Sequence, residues 1–285
     1  MAPTPADHAL ARFGLVGTHA LVTGGSKGIG AACVEELARL GARVFTCGRD
    51  KAALDAALGG WAAEGLAVGG CTADCSTPAG RAALLAAAAD WREGAPLDTL
   101  ILNVGTNKAG PTVDVSDETY AFILATNLDS AFCLARDAHG ALAEAGRRHL
   151  TPSPNEPDCL GPPGASITLI SSVAGGAQSM KSGAVYAATK AALDQLARNL
   201  AVEWAPAGIR VNSVKPFYTD TPLASYVVRD SPAARAAVLD ATPARRIAAP
   251  ADVAGAVAWL SGPAAVHVTG ACVPVDGGYL ARGFW

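Results

Sequence analysis

Thr23-Gly-Gly-Ser-Lys-Gly-Ile-Gly30 follows a short apolar run, His19-Ala-Leu-Val22, and leads into an amphipathic stretch that reaches Leu40. Strand, glycine loop, helix is the order in which a glycine-rich turn holds a dinucleotide. Gly24 allows the tight turn, while Gly28 and Gly30 let backbone N–H groups and the helix start come close to a pyrophosphate. Ser26, Lys27 and Ile29, which fill the loop, join these glycines as expected cofactor contacts. The spacing is GxxxGxG and no Gly-Lys-Ser/Thr ending follows, so the loop is not that of a nucleoside-triphosphatase.

The same alternation continues to the end of the chain. Further strands are expected at 43–47, 66–72, 99–103, 165–170, 209–214 and 271–275, and helices at 51–64, 78–92, 117–145, 185–204 and 251–260. Strands buried by helices on both faces read as continuous apolar runs. The expected fold is therefore α/β: one Rossmann-type domain over residues 1–285, with a doubly wound parallel sheet of about seven strands flanked by helices. Residues 146–164 break the rhythm with five prolines, at 152, 154, 157, 162 and 163. A helix-to-strand connection usually takes two to six residues, so this is read as a solvated surface insertion, with partner docking as the alternative.

Composition narrows the function. Hydrophobic residues make up 51% of the 285 and charged ones 16%, a core-building mixture, and the 63 alanines favour helix. A net charge of −3 argues against a nucleic-acid partner. No run of eighteen apolar residues is present and the first residues carry no secretory pattern, so the expectation is a protein of the cytoplasm, with an organelle as the alternative, and without a membrane partner. None of the seven cysteines forms a CxxC pair, and the five histidines are dispersed, so no metal site is expected.

Cofactor choice is read about twenty residues past the glycine loop. An NAD enzyme is expected to show a carboxylate there for the ribose 2′-hydroxyl. This chain has Cys47-Gly48-Arg49. A carboxylate would repel a 2′-phosphate, whereas arginine pairs with it through two hydrogen bonds. Lys27 supplies a second cation, so NADP(H) is expected; Asp50 is read as the cap of the helix starting at Lys51.

In Ala184-Val-Tyr-Ala-Ala-Thr-Lys190, Tyr186 and Lys190 lie four residues apart and share one helical face. The spacing alone is common. Its place is informative, because it follows the fifth strand, which ends in Ser171-Ser172 at the sheet edge where ligands of doubly wound proteins bind.

With these motifs in this order, residues from about Thr18 to Gly278 resemble the short-chain dehydrogenase/reductase family. The resemblance implies Tyr186 as acid/base, Lys190 as its pKa-lowering partner and ribose ligand, and Ser172 as the hydroxyl that orients the carbonyl. Asn127, in Ala125-Thr-Asn-Leu128, matches the asparagine that holds a relay water. Asn103-Val-Gly105 stands for the family's Asn-Ala-Gly, Asp74 for the acidic residue beside the adenine, and Val275-Asp-Gly-Gly278 for the closing motif. Asn103, Gly105, Asp74, Cys75, Pro216, Thr219 and Thr221 complete the expected cofactor contacts. Asn103-Val-Gly-Thr-Asn107, Thr46-Cys-Gly-Arg49, Leu200-Ala-Val-Glu-Trp204 and Gly283-Phe284 are similar to the tropinone-reductase-like group. The chain departs from the family in three places. Ser172 and Tyr186 are fourteen positions apart instead of thirteen, which leaves Ser171 as the alternative serine; Pro216-Phe217 replaces Pro-Gly; and the proline-rich insertion has no counterpart.

The resemblance implies an NADPH-dependent carbonyl reductase that also runs as an alcohol dehydrogenase. A tyrosine titrates near ~10 when unperturbed, so it needs a positive neighbour to act at neutral pH. A lid at 217–240 is expected over the substrate. Tyr218, Tyr226 and Leu223 from the lid, and Gln178 and Met180 before Tyr186, are the candidate substrate contacts, a mixture suited to a small or medium, largely apolar carbonyl compound. Two other readings stand beside it: a 3-oxoacyl-acyl-carrier-protein reductase, for which Arg245-Arg246 is the candidate basic surface, and a catalytically silent nucleotide-binding scaffold. The resemblance also implies a homodimer or homotetramer, with an apolar tail at 279–285.

Overall fold

The computed structural model of the chain describes residues 4–150, 164–225 and 229–283. Helix α1 (Pro5–Phe13) precedes strand β1 (His19–Val22), and the glycine loop joins β1 to α2 (Gly28–Arg39). The chain continues through β2 (Arg43–Gly48), α3 (Lys51–Ala63), β3 (Val68–Thr72), α4 (Pro78–Trp91) and β4 (Thr99–Leu102). Next come α5 (Asp117–Leu124), α6 (Ser130–Leu150), β5 (Ala165–Ile170), α7 (Ala184–Glu203) and β6 (Ile209–Pro216). Helices α8 (Pro232–Ala241) and α9 (Pro250–Ser261) and strand β7 (Cys272–Val275) complete the order.

All seven strands are parallel, in the order β3-β2-β1-β4-β5-β6-β7. Winding starts at β1, runs to the β3 edge, then returns to lay β4 beside β1. Loops leaving β1 and β4 therefore part in opposite directions and open a crevice above the strand ends. Leu37 of α2, Trp61 of α3 and Val257 of α9 pack on one face of the sheet. Leu84 of α4, Leu142 of α6 and Leu193 of α7 pack on the other. Every residue of β5 and β6 is buried, as a sheet covered on both sides requires. Helix starts follow local chemistry: Asp50, Thr77, Ser116 and Ser231 each accept an amide from the first turn of α3, α4, α5 and α8.

Three expectations change. The helix expected at 117–145 is two α-helices joined by a π-helical turn at Ala125–Asp129, where Asn127 is drawn into the core. Residues 146–150, expected in the insertion, continue α6. Gly146 permits this, since a side chain there would collide with the Ala207 carbonyl. The rest of the expected insertion, through 163, lies outside the described residues. Helices α1 and α8 went unread: alanine fills both faces of α8, Pro-Ala-Ala-Arg-Ala-Ala-Val-Leu-Asp-Ala, so its period carries little contrast.

Candidate active site

A cavity of about 480 Å³ opens above the carboxyl ends of the strands, at the size usual for small-molecule sites. At its nucleotide end the glycine loop is shaped by backbone contacts. Gly24 has φ +70°, a conformation open to glycine. A Cβ on Gly30 would collide with the Gly24 carbonyl oxygen and stand 2.5 Å from Asn103 Nδ2, so only glycine leaves the start of α2 this close to the loop. Asn103 Nδ2 donates to the carbonyls of Thr23 and Gly24, and the Thr23 hydroxyl accepts from the amides of Asn103 and Val104. Asn103 lines the cavity, and its amide hydrogens shape the loop. Across the crevice, Thr221 packs against Gly28, where an added Cβ would meet its methyl at 3.3 Å. Ser26, Ile29, Pro216 and Thr219 stand in the same wall.

Lys27 and Arg49 are exposed at the rim, and neither forms a salt bridge among the described residues. Asp50 caps α3, as its position in the sequence implies. Asp74 lies in the wall: burial opposes its ionisation, but the Ser76 hydroxyl and amide and the Arg49 charge outweigh it and hold the carboxyl below its ordinary value. Cys75, beside it, contacts Cys47 with their Sγ atoms 3.6 Å apart.

At the other end, α7 carries Tyr186 and Lys190 into the cavity wall. Lys190 Nζ is 5.5 Å from the centre of the Tyr186 ring and donates to the Ile170 carbonyl at 2.7 Å. Burial pushes the Lys190 ammonium down to about 8, against the opposing pull of Asp194. Gly105 lies beside it, where an added Cβ would stand at an ordinary contact distance of 3.4 Å from Nζ. The two serines differ. Ser171 is buried and donates to the Lys190 carbonyl at 2.9 Å, whereas Ser172 accepts from the Ala174 amide and, among the described residues, its hydroxyl hydrogen goes to no acceptor.

Asn127 does not line the cavity. It is buried behind Gly105, donating to the Thr106 carbonyl and the Thr189 hydroxyl and accepting from the Thr106 amide. Thr189 in turn donates to the Tyr186 carbonyl at 2.7 Å, so Asn127 ties the loop after β4 to the helix that bears Tyr186.

Of the expected substrate contacts, Tyr218, Met180 and Leu223 line the cavity. Gln178 is exposed on the loop before α7 and lies outside the lining. Tyr226 lies outside the described residues. Asn107, Thr126 and Ser182 were missed and also form the wall, which Phe217, the first residue of the expected lid, joins. Phe217, which stands where the family has glycine, stacks on Tyr279 at 4.1 Å and fastens the segment after β7 to the loop after β6. Arg245 and Arg246 are engaged by Asp240 and Asp252. No three metal-ligating side chains gather among the described residues, and none of their helices is long and apolar enough to cross a membrane.

The family model of short chain dehydrogenases matches residues 18–232. The chain belongs to that family. Within it the protein is similar to a tropinone reductase homolog of Arabidopsis thaliana, with 44% identity over 96% of each chain. Among solved structures, this short-chain dehydrogenase is similar to a gluconate 5-dehydrogenase from Burkholderia cenocepacia in complex with NADP and tartrate (TM-score 0.85, 28% identity, 97% of this chain and 100% of that one). It is also similar to the Pseudomonas aeruginosa RhlG/NADP complex (TM-score 0.83, 30% identity, 94% and 98%). It is thus an oxidoreductase of a family that binds a nicotinamide cofactor. The cradle left by Gly30, the amides at the start of α2 and the two rim cations fit such a dinucleotide.

Proposed function

We propose that this short-chain dehydrogenase is an NADPH-dependent reductase of a small or medium ketone, able to run in reverse as an alcohol dehydrogenase. The observation that carries this reading is the meeting of Tyr186, Lys190 and Ser172 at one end of a cavity whose other end is built for a dinucleotide. When bound, the nicotinamide supplies the hydride. Ser172 orients the carbonyl oxygen with its uncommitted hydroxyl hydrogen. Tyr186 gives that oxygen its proton, and the charged Lys190 beside the ring favours the tyrosinate left behind. Arg49 and Lys27 take the 2′-phosphate, which selects NADPH. Asn127 holds the Tyr186 helix against the loop after β4. The exposed apolar side chains Tyr120, Phe132 and Val202, on α5, α6 and α7, support the homodimer or homotetramer of this reading.

The test follows NADPH and NADH absorbance with cyclic and aromatic ketones, tropinone among them, for wild type and Tyr186→Phe. NADPH-dependent turnover that disappears in Tyr186→Phe is the expected result. NADH preference overturns the cofactor reading, and turnover that survives in Tyr186→Phe overturns the mechanism.

A further inference from the structure

One buried ion pair has no part in the chemistry above. Lys215 of β6 meets Asp194 of α7 at 2.7 Å, with both side chains nearly out of solvent, and Ser213 Oγ donates to the second carboxylate oxygen at 2.8 Å. Such a pair is a weak source of stability, because removing two charges from water offsets most of their attraction. Its position is more telling. Asp194 lies one turn beyond Lys190 on the same face of α7. Ile170, whose carbonyl holds Lys190 Nζ, pairs in register with Val214, the neighbour of Lys215. Charges thus alternate along this edge of the sheet: Lys190, Asp194, Lys215. The Asp194 carboxylate opposes the desolvation of Lys190, and the Lys215 ammonium held against it sets a positive charge beside that negative one. The other groups around Lys190 are the Tyr186 ring, which is titratable, the Ile170 carbonyl of β5 and, past Gly105, the Asn127 amide.

We propose that Lys215 is a positioning residue for Lys190: by holding the Asp194 carboxylate, it limits the negative charge that Lys190 feels. The inference rests on the reading of Lys190 as a working group of the site. Unpaired, Asp194 would retain the Lys190 proton to higher pH; removed, it would release that proton earlier.

The experiment labels lysine Cε with ¹³C and titrates the protein by NMR, taking as Lys190 the signal absent from Lys190→Met. Asp194→Asn is expected to move the Lys190 titration down by about half to one pH unit, and Lys215→Met to move it up by a similar amount. The double variant returns it to within a few tenths of a unit of wild type, and Lys215→Arg leaves it in place. Shifts of the same sign in the two single variants, or none, overturn the inference. Should Lys215→Met not fold, Asp194→Asn and the double variant decide it: a downward shift that the second change does not reverse is fatal. The alkaline limb of kcat/KM is expected to follow the NMR titration. If the NMR shifts appear without any ketone turnover, the proposed reaction fails and the electrostatic coupling stands.

Discussion

The Asn103 carboxamide donates to the carbonyls of Thr23 and Gly24 at 2.9 and 3.1 Å, so the end of β4 is stapled to the first turn of the glycine loop. Asn103→Ala deletes both bonds and leaves two carbonyls short of a donor. The expected loss is about 2 kcal/mol in urea unfolding, with weaker NADPH binding by fluorescence titration. Unchanged stability would mean that solvent satisfies both carbonyls.

Gly30→Ala forces a backbone collision with the Gly24 carbonyl that no rotamer relieves. The expected outcome is a loss of about 3 kcal/mol or more and no measurable dinucleotide binding. Gly59→Ala, at an exposed glycine whose added Cβ meets nothing within 4 Å, is the control and is expected to be neutral or slightly stabilising.

Lys190 titrates at about 8 where an ordinary lysine does so at 10.5. Between these values the unfolded chain holds a proton that the folded chain has shed, so the Lys190 contribution makes stability rise with pH across that window. Below pH 8 the buried ammonium is at its most costly. The stability of Lys190→Met relative to wild type is therefore expected to be highest at pH 7 and to fall by up to about 3 kcal/mol by pH 10.5. Urea titrations at several pH values check this, and a difference that stays flat would contradict the burial of the charge.

Arg49→Ala removes a rim cation that makes no salt bridge among the described residues. NADPH affinity is expected to fall by about ten- to a hundredfold, with NADH affinity nearly unchanged. Calorimetry with each cofactor measures the ratio, and equal losses for both would place Arg49 away from the 2′-phosphate.

Most of this architecture is legible in the chain itself. The glycine loop, Arg49, Ser171-Ser172, Tyr186 and Lys190 are local motifs whose chemistry is tied to strand ends, and the structure sets all of them around one cavity. What escaped reading depends on contacts distant in sequence or on low contrast. Asn103 and Asn127 carry side chains that could serve a ligand or the backbone, and only the fold shows their amides taken up internally. Lys215 is one of four polar residues in β6, Ile-Arg-Val-Asn-Ser-Val-Lys-Pro216, and nothing in that run marks it out until Asp194, 21 residues away, is packed against it. The alanine-rich α8 shows too little difference between its faces to be distinguished from a loop.

The π turn at Ala125–Asp129 also sets a limit on how this protein can change. It holds one residue more than an α-helix would, and each residue advances a helix by about 100°. The apolar period of the sequence therefore skips by one residue between α5 and α6, while both helices keep buried faces. Deleting one residue of the turn would restore α-helical winding and leave the inward face of α6, with Leu134 and Leu142, on the sheet, but it would remove the widening that draws Asn127 into the core. What a change of length by one would cost is therefore the inward placement of Asn127 and its bonds to Thr106 and Thr189.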